Sequence, residues 1–260
     1  MNIFVLVKRV PDTESKIRID HGHNRINEEG LNFVLSPYDE YAVEEALRLR
    51  EAKGGKVTVI SLGTDETMVI LKKCLAMGVD EALLIKDEQG ETYDGMRTAR
   101  ILASVFKYKF TEYDLLLLGK QAVGADNSQV PSMLAELLNL PQVNVITKLE
   151  INGSQGVAHR EVEGATEKVI FSLPAVVSAQ KGLNEPRYET LKGIMMAKRK
   201  EIPVITLQEL GLSPEETVPQ LELVKLASPP ERQAGNVIDV DPEEGAKKLV
   251  EFIHEDAKII

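Results

Sequence analysis

Residues 115 to 141 read LLLLGKQAVGADNSQVPSMLAELLNLP. Four leucines stop at a loop of small and hydrogen-bonding residues: Gly119, Lys120, Gln121, Ala122, Val123, Gly124, Ala125, Asp126, Asn127, Ser128 and Gln129. An apolar, helix-patterned run then starts near Val130. A buried strand that ends in such a loop and restarts as a helix offers free backbone N–H groups, here from about Asn127 to Val130, to an anion. Gly124 and Ala125 let a phosphate approach the backbone, and Asp126 or Ser128 is a candidate helix cap. The chemistry this supports is binding of a phosphate-bearing nucleotide. A plain connecting loop capped by Asp126 or Ser128 is the alternative. No GxxxxGK[ST] and no GxGxxG occurs, so the Gly119–Lys120 pair does not mark an NTP-hydrolysing loop.

Other reactive constellations are thin. His21, His23, His159 and His254 fall in separate polar segments, and none stands with a nucleophile and base in a triad-like grouping. The single cysteine, Cys74, permits no internal disulfide and no cysteine-based metal site, and its helical, apolar context predicts a small buried residue. No catalytic residue and no metal site is expected. The segment YETLKGIMMAKRK, residues 188 to 200, sets Leu191, Ile194, Met195 and Met196 beside Lys192, Lys198, Arg199 and Lys200. Such a run is either an adaptable docking surface or a helix whose apolar side lies in the core.

The elements that must position these groups alternate regularly over the first 150 residues. IFVLVKRV, KVTVISLG, EALLIKD and YDLLLLGK are continuous apolar runs of the buried parallel-strand type. Between them lie helix patterns: SPYDEYAVEEALRLREAKGG, with Ser36 as candidate cap and Pro37 at the first position, TDETMVILKKCLAMG, and GMRTARILASVFKYK. NSQVPSMLAELLN follows as a fourth helix and QVNVITKLEI as a further strand. This predicts an α/β fold with a doubly wound, mostly parallel sheet, whose ligands sit beyond the carboxyl ends of the strands. Asn152-Gly153 then signals a hairpin, and hence an antiparallel extension of the same sheet. Beyond residue 183 the periodicity weakens into loop, a basic helix, an extended arm and a terminal helix.

Composition bounds the function classes. The 260 residues are 43% hydrophobic and 28% charged, ordinary for a globular protein, with a formal charge of −10. That balance disfavours nucleic-acid binding through a basic face. No run reaches the roughly 18 apolar residues of a membrane span, and the N-terminal MNIFVLVKRV reads as a strand and not a leader, so a cytoplasmic location is expected.

Several stretches together, in order and spacing, resemble the β-subunit of electron-transfer flavoproteins over nearly the whole chain: VKRVPD, SPYDEYAVEEALRLRE, CLAMGVDEALLI, LLLLGKQAVGADNSQV, PAVV, LNEPRYETLKGIMMAKRK and SPPERQAG. The resemblance implies an adenine-nucleotide-binding α/β domain over residues 1–225 and a C-terminal partner-wrapping arm over 226–260. It implies a heterodimer with an α-subunit that carries most contacts to a redox FAD. Electrons then pass between acyl-CoA-type dehydrogenases and a quinone oxidoreductase, and this chain is a carrier subunit without a catalytic constellation of its own. The family's contacts to a structural AMP fall on Val7, on Ser36, Pro37, Tyr38 and Asp39, on Leu62, and on Gly119 to Val130. Its partner-docking loop falls at about residues 187–196, on Arg187, Tyr188, Leu191, Ile194 and Met195, with Leu191 as anchor. AMP-type relatives carry an acidic run, and electron-bifurcating ones Asp-Gly-Asp-Thr, where this chain has Val123, Gly124 and Ala125. NEPRY is closer to the AMP type. The alternatives are a second redox FAD in place of AMP and, from another class, an ATP- or AMP-binding sensor domain.

Overall fold

A computed structural model describes residues 1–20, 22–89, 93–230, 235 and 237–259. His21 and most of the ERQAG portion of the arm motif lie outside the described residues. The chain divides into two compact units, Met1–Leu226 and Ala227–Ile260.

In chain order the first unit holds β1 (Asn2–Leu6), β2 (Arg9–Pro11), β3 (Ile19–Asp20), β4 (Arg25–Ile26), β5 (Phe33–Leu35), α1 (Pro37–Lys53), β6 (Lys56–Gly63), α2 (Met68–Met77), β7 (Glu81–Lys86), α3 (Gly95–Tyr108), β8 (Leu115–Gly119), α4 (Val130–Leu138), β9 (Gln142–Asn152), β10 (Gln155–Val162), β11 (Ala165–Ser172), β12 (Ala175–Ala179), α5 (Leu191–Arg199) and β13 (Val204–Thr206). The second holds α6 (Pro242–Glu251).

One sheet dominates, ordered β11-β10-β9-β12-β8-β1-β6-β7-β13. The run from β9 to β13 in that order pairs parallel, whereas β9, β10 and β11 pair antiparallel, as the Asn152-Gly153 turn predicts. Successive residues of a strand face opposite sides. Ile3 and Val5 of β1 therefore join Val57, Val59, Leu115 and Leu117 under α1 and α2. Phe4 and Leu6 join Ile60, Leu83, Leu116 and Leu118 under α3 and α4. Cover on both faces explains why the central parallel strands are apolar without alternation, whereas β10 and β11 at the antiparallel end keep exposed residues. Cys74 is wholly buried in the first core, which pushes its thiol pKa up.

Chain order reverses at β1: the path goes outward through β6 and β7, then returns to β8 on the other side. That switch point opens a crevice beyond the carboxyl ends of β1 and β8. The first apolar run also breaks there. β1 ends at Leu6, and Arg9–Pro11 leaves the main sheet to pair with β5.

In the second unit, Asp241 caps α6 by accepting from the N–H groups of Glu243 and Glu244. Lys247–Glu243 and Lys248–Glu244 pairs brace it at 3.0 and 2.7 Å. None of its residues is buried. Among the described residues no helix is long and apolar enough to cross a membrane.

Candidate functional site

The crevice is closed by one carboxylate. Asp39, in the first turn of α1, is buried, and it accepts from the Lys8 N–H at 2.8 Å and the Gly119 N–H at 2.9 Å. It thereby ties the end of β1, the end of β8 and the start of α1 together. Burial pushes its carboxyl up to about 7, against the pull of the two N–H donors. The Ser36 N–H donates to the Lys8 carbonyl at 3.0 Å, and the Ser61 hydroxyl to the Val7 carbonyl at 2.7 Å. Gly119 is required by this closeness. A Cβ there would lie 2.5 Å from Asp39 Oδ1 and 2.7 Å from the Tyr38 carbonyl carbon.

Val7, Ser36, Pro37, Tyr38, Asp39 and Gly119 are thus brought together, with half-buried Leu62 at the end of the next strand, β6. Ser36 differs from expectation. It stands at the N-cap of α1, but its hydroxyl caps nothing and is buried without a hydrogen-bond partner. Its carbonyl does the work, accepting from the Asp39 and Glu40 N–H groups.

The loop from Lys120 to Gln129 leaves this closure. The Lys120 N–H donates to the Ala179 carbonyl at 2.9 Å, and its ammonium lies 4.7 Å from the centre of the Tyr38 ring, a cation–π contact. The expected capping is not found. Neither Asp126 nor Ser128 caps α4, which starts at Val130 and not at Asn127, with Gln129 at the N-cap position. The cause is the backbone: Asp126 and Ser128 have φ of 47° and 50°, outside helical space. Their side chains instead close the loop on itself through Gln121, whose amide donates to Asp126 at 2.6 Å and accepts from the Ser128 hydroxyl at 2.7 Å. Asn127 and Gln129 lie against the position a Cβ of Gly95 would take, at the start of α3. Helix geometry leaves the Val130 and Ser132 N–H groups facing out of α4's first turn, Pro131 having none.

Two features of these residues suit a phosphate-bearing nucleotide: the orphaned buried hydroxyl at Ser36, and the outward-facing N–H groups of α4's first turn with a lysine near the loop's start. Val123, Gly124 and Ala125 line the loop's turn, where Gly124 takes φ of 93°.

The second group of expected residues lies elsewhere, at the start of α5. Tyr188 and Leu191 are 93% and 84% exposed, and Met195 is exposed, so the apolar side of this segment is not core. Ile194 is different: it is half-buried and packs on the core. Arg187 keeps about a third of its side chain exposed. Its guanidinium is held on α1 by Glu44 at 2.7 Å and Glu51 at 2.5 Å. Sequence reasoning missed Ser61, whose only signal was a hydroxyl, beside that of Thr58, inside an otherwise apolar strand. It also missed Glu44 and Glu51, which read as solvated helix charge, although Glu44 is buried.

The sequence model of the electron transfer flavoprotein domain matches residues 24–210. The β-subunit of the electron transfer flavoprotein of Bacillus subtilis is 43% identical over 261 residues, covering 100% of both chains. That of Thermoanaerobacterium thermosaccharolyticum is 38% identical, covering 98% of each. That of Mus musculus is 34% identical, covering 95% of this chain and 96% of the relative. With full-length likeness of this order and the doubly wound sheet beneath it, the chain belongs to the electron transfer flavoprotein family, as a β-subunit.

Proposed function

We propose that this chain binds AMP as a structural nucleotide and pairs with an α-subunit to hold that subunit's FAD, the heterodimer carrying electrons between acyl-CoA-type dehydrogenases and a quinone oxidoreductase. The observation that carries the nucleotide assignment is the Asp39 closure at the β1–β8 switch point, with the loop from Gly119 leading to the start of α4. Gly119 lets α1's first turn close on β8, and the adenylate lies along the loop that leaves it. Lys120 and the N–H groups of Val130 and Ser132 attract and orient its phosphate. Ser36 and Leu62 line the nucleoside side.

FAD supplies the reversible electron chemistry when bound. This chain's part is to shape and cover the flavin's surroundings and to present a docking surface. Tyr188, Leu191 and Met195 supply the apolar contact for the dehydrogenase, and Lys192, Lys198 and Arg199 the charge around it. The exposed Leu249, Val250 and Phe252 of the second unit serve the α-subunit contact, which supports the arm reading of residues 226–260.

The test is nucleotide analysis of the denatured heterodimer. Recovery of FAD and AMP in equal amounts supports this reading. Two FAD and no AMP would replace it with the electron-bifurcating form, and reversible ATP or AMP exchange by the chain alone, with no partner, would replace it with a sensor.

A further inference from the structure

We infer that Arg187 is a positioning residue: with Asn184, it fastens the base of the loop bearing Tyr188 and Leu191 to α1, the same helix whose first turn closes the nucleotide crevice. The inference rests on the docking reading given above. Arg187 donates from Nε and Nη2 to the two oxygens of Glu44 at 2.7 and 2.9 Å, and from Nη1 and Nη2 to those of Glu51 at 2.5 and 3.1 Å. Its backbone N–H adds a bond to Glu44 at 3.1 Å. A guanidinium has five N–H donors in a fixed plane. Most are spent here, so a partner has almost nothing left to bind without breaking the clamp. Glu44 and Glu51 lie seven residues apart, two turns along one face of α1. Three residues before Arg187, the Asn184 amide donates to the Tyr41 carbonyl and to Glu45, both at 3.0 Å.

The far end of the loop is fixed independently. Thr190 caps α5 by accepting from the Gly193 N–H at 2.9 Å. A Cβ at Gly193 would collide with the Ala76 carbonyl of α2, so the helix sits directly on that chain, and Ala197 is buried behind it. Tyr188 to Leu191 therefore spans two anchored points. The apolar groups are exposed yet pre-set, which lowers the ordering cost of docking. Leu191 supplies the contact, and Arg187 sets where it stands.

The experiment is a double-mutant cycle in the purified heterodimer with Arg187→Gln, Leu191→Ala and both, measuring KM and kcat for dehydrogenase-coupled reduction. Tryptic cleavage after Lys192, followed by mass spectrometry, reports the loop's freedom. Arg187→Gln is expected to raise KM by roughly tenfold or less, the scale of coupled neighbours, and to speed cleavage after Lys192, with FAD and AMP content unchanged. Arg187→Lys, which cannot span both carboxylates, is expected to fall between. The double variant is expected to be little worse than Leu191→Ala alone. Effects that multiply would make Arg187 an independent contact and overturn the inference. So would an unchanged cleavage rate in both Arg187 variants while Leu191→Ala raises KM. A normal KM for Leu191→Ala would instead sink the docking reading itself, and the functional half of this inference with it. Were Arg187→Gln too unstable to purify, Glu51→Gln, on the exposed side of the clamp, gives the same readouts.

Discussion

Gly119→Ala tests the crevice at its tightest point. The added methyl would stand 2.5 Å from Asp39 Oδ1 and 2.7 Å from both the carbonyl carbon and the Cβ of Tyr38. Two of those neighbours cannot rotate away, because they belong to the first turn of α1, pinned by the Ser36–Lys8 backbone bond. The turn must back off by about 1 Å to reach ordinary contact, which also stretches the Gly119–Asp39 bond from its 2.9 Å. Overpacking costs about 1–3 kcal/mol, and above pH 7, where Asp39 is ionised, loss of a hydrogen bond to it costs about 1.5–3 kcal/mol. The sum is about 2.5–6 kcal/mol, a large part of the roughly 5–15 kcal/mol that holds a domain folded. Gly124→Ala is the control. It also changes a loop glycine, but at φ of 93° with no atom within 4 Å of the new methyl. Only backbone strain of about 1–2 kcal/mol is expected there. Urea unfolding midpoints and recovered AMP per heterodimer measure both. Gly119→Ala with less than about 1 kcal/mol lost and a full complement of AMP would refute the reasoning, as would Gly124→Ala proving the more damaging of the two.

Two further outcomes are expected. Asp39, raised to about 7 in the fold from the ordinary 3.8 of an aspartate, holds its proton more tightly folded than unfolded. Its contribution to stability is full below about pH 4, falls as pH rises towards 7, and is flat above. Asp39→Asn should therefore remove a downward slope from the urea-midpoint profile between those limits; an unaltered slope would refute the assignment. Leu191→Ala should leave the melting temperature within about 1 °C, because an exposed side chain contributes little to folding. A core leucine would cost about 2–5 kcal/mol, so a large fall in melting temperature would return Leu191 to the interior.

The central fold is legible in the sequence because burial on both faces writes each central parallel strand as an unbroken apolar run, and because Asn152-Gly153 marks the hairpin. The crevice is legible only as a pattern, a strand that stops at Gly119 before a polar loop. The start of α4 is not, since nothing local reveals that Asp126 and Ser128 adopt positive φ and bond to Gln121 instead of to the helix. Ser36 keeps its expected place but not its expected hydroxyl bond. Arg187 is hardest to read. It looks like the head of a basic docking segment, and its carboxylate partner at Glu44 is 143 residues away. Single-sequence patterns see periodicity within an element; they do not see which charge on one element meets which on another.

One consequence concerns the chain as it is being made. β12, residues Ala175–Ala179, is inserted between β8 and β9, both of which are synthesised earlier. Until it emerges from the ribosome, the leucine-rich flank of β8 has no strand beside it, and β9 with its hairpin has no place in the sheet. The first peptide of the loop after Gly119 also bonds to β12, the Lys120 N–H donating to the Ala179 carbonyl. A nascent chain stopped before residue 175 has the loop's sequence without the Ala179 carbonyl that holds its first N–H. Pairings of this separation close slowly and leave strand edges open to other chains meanwhile.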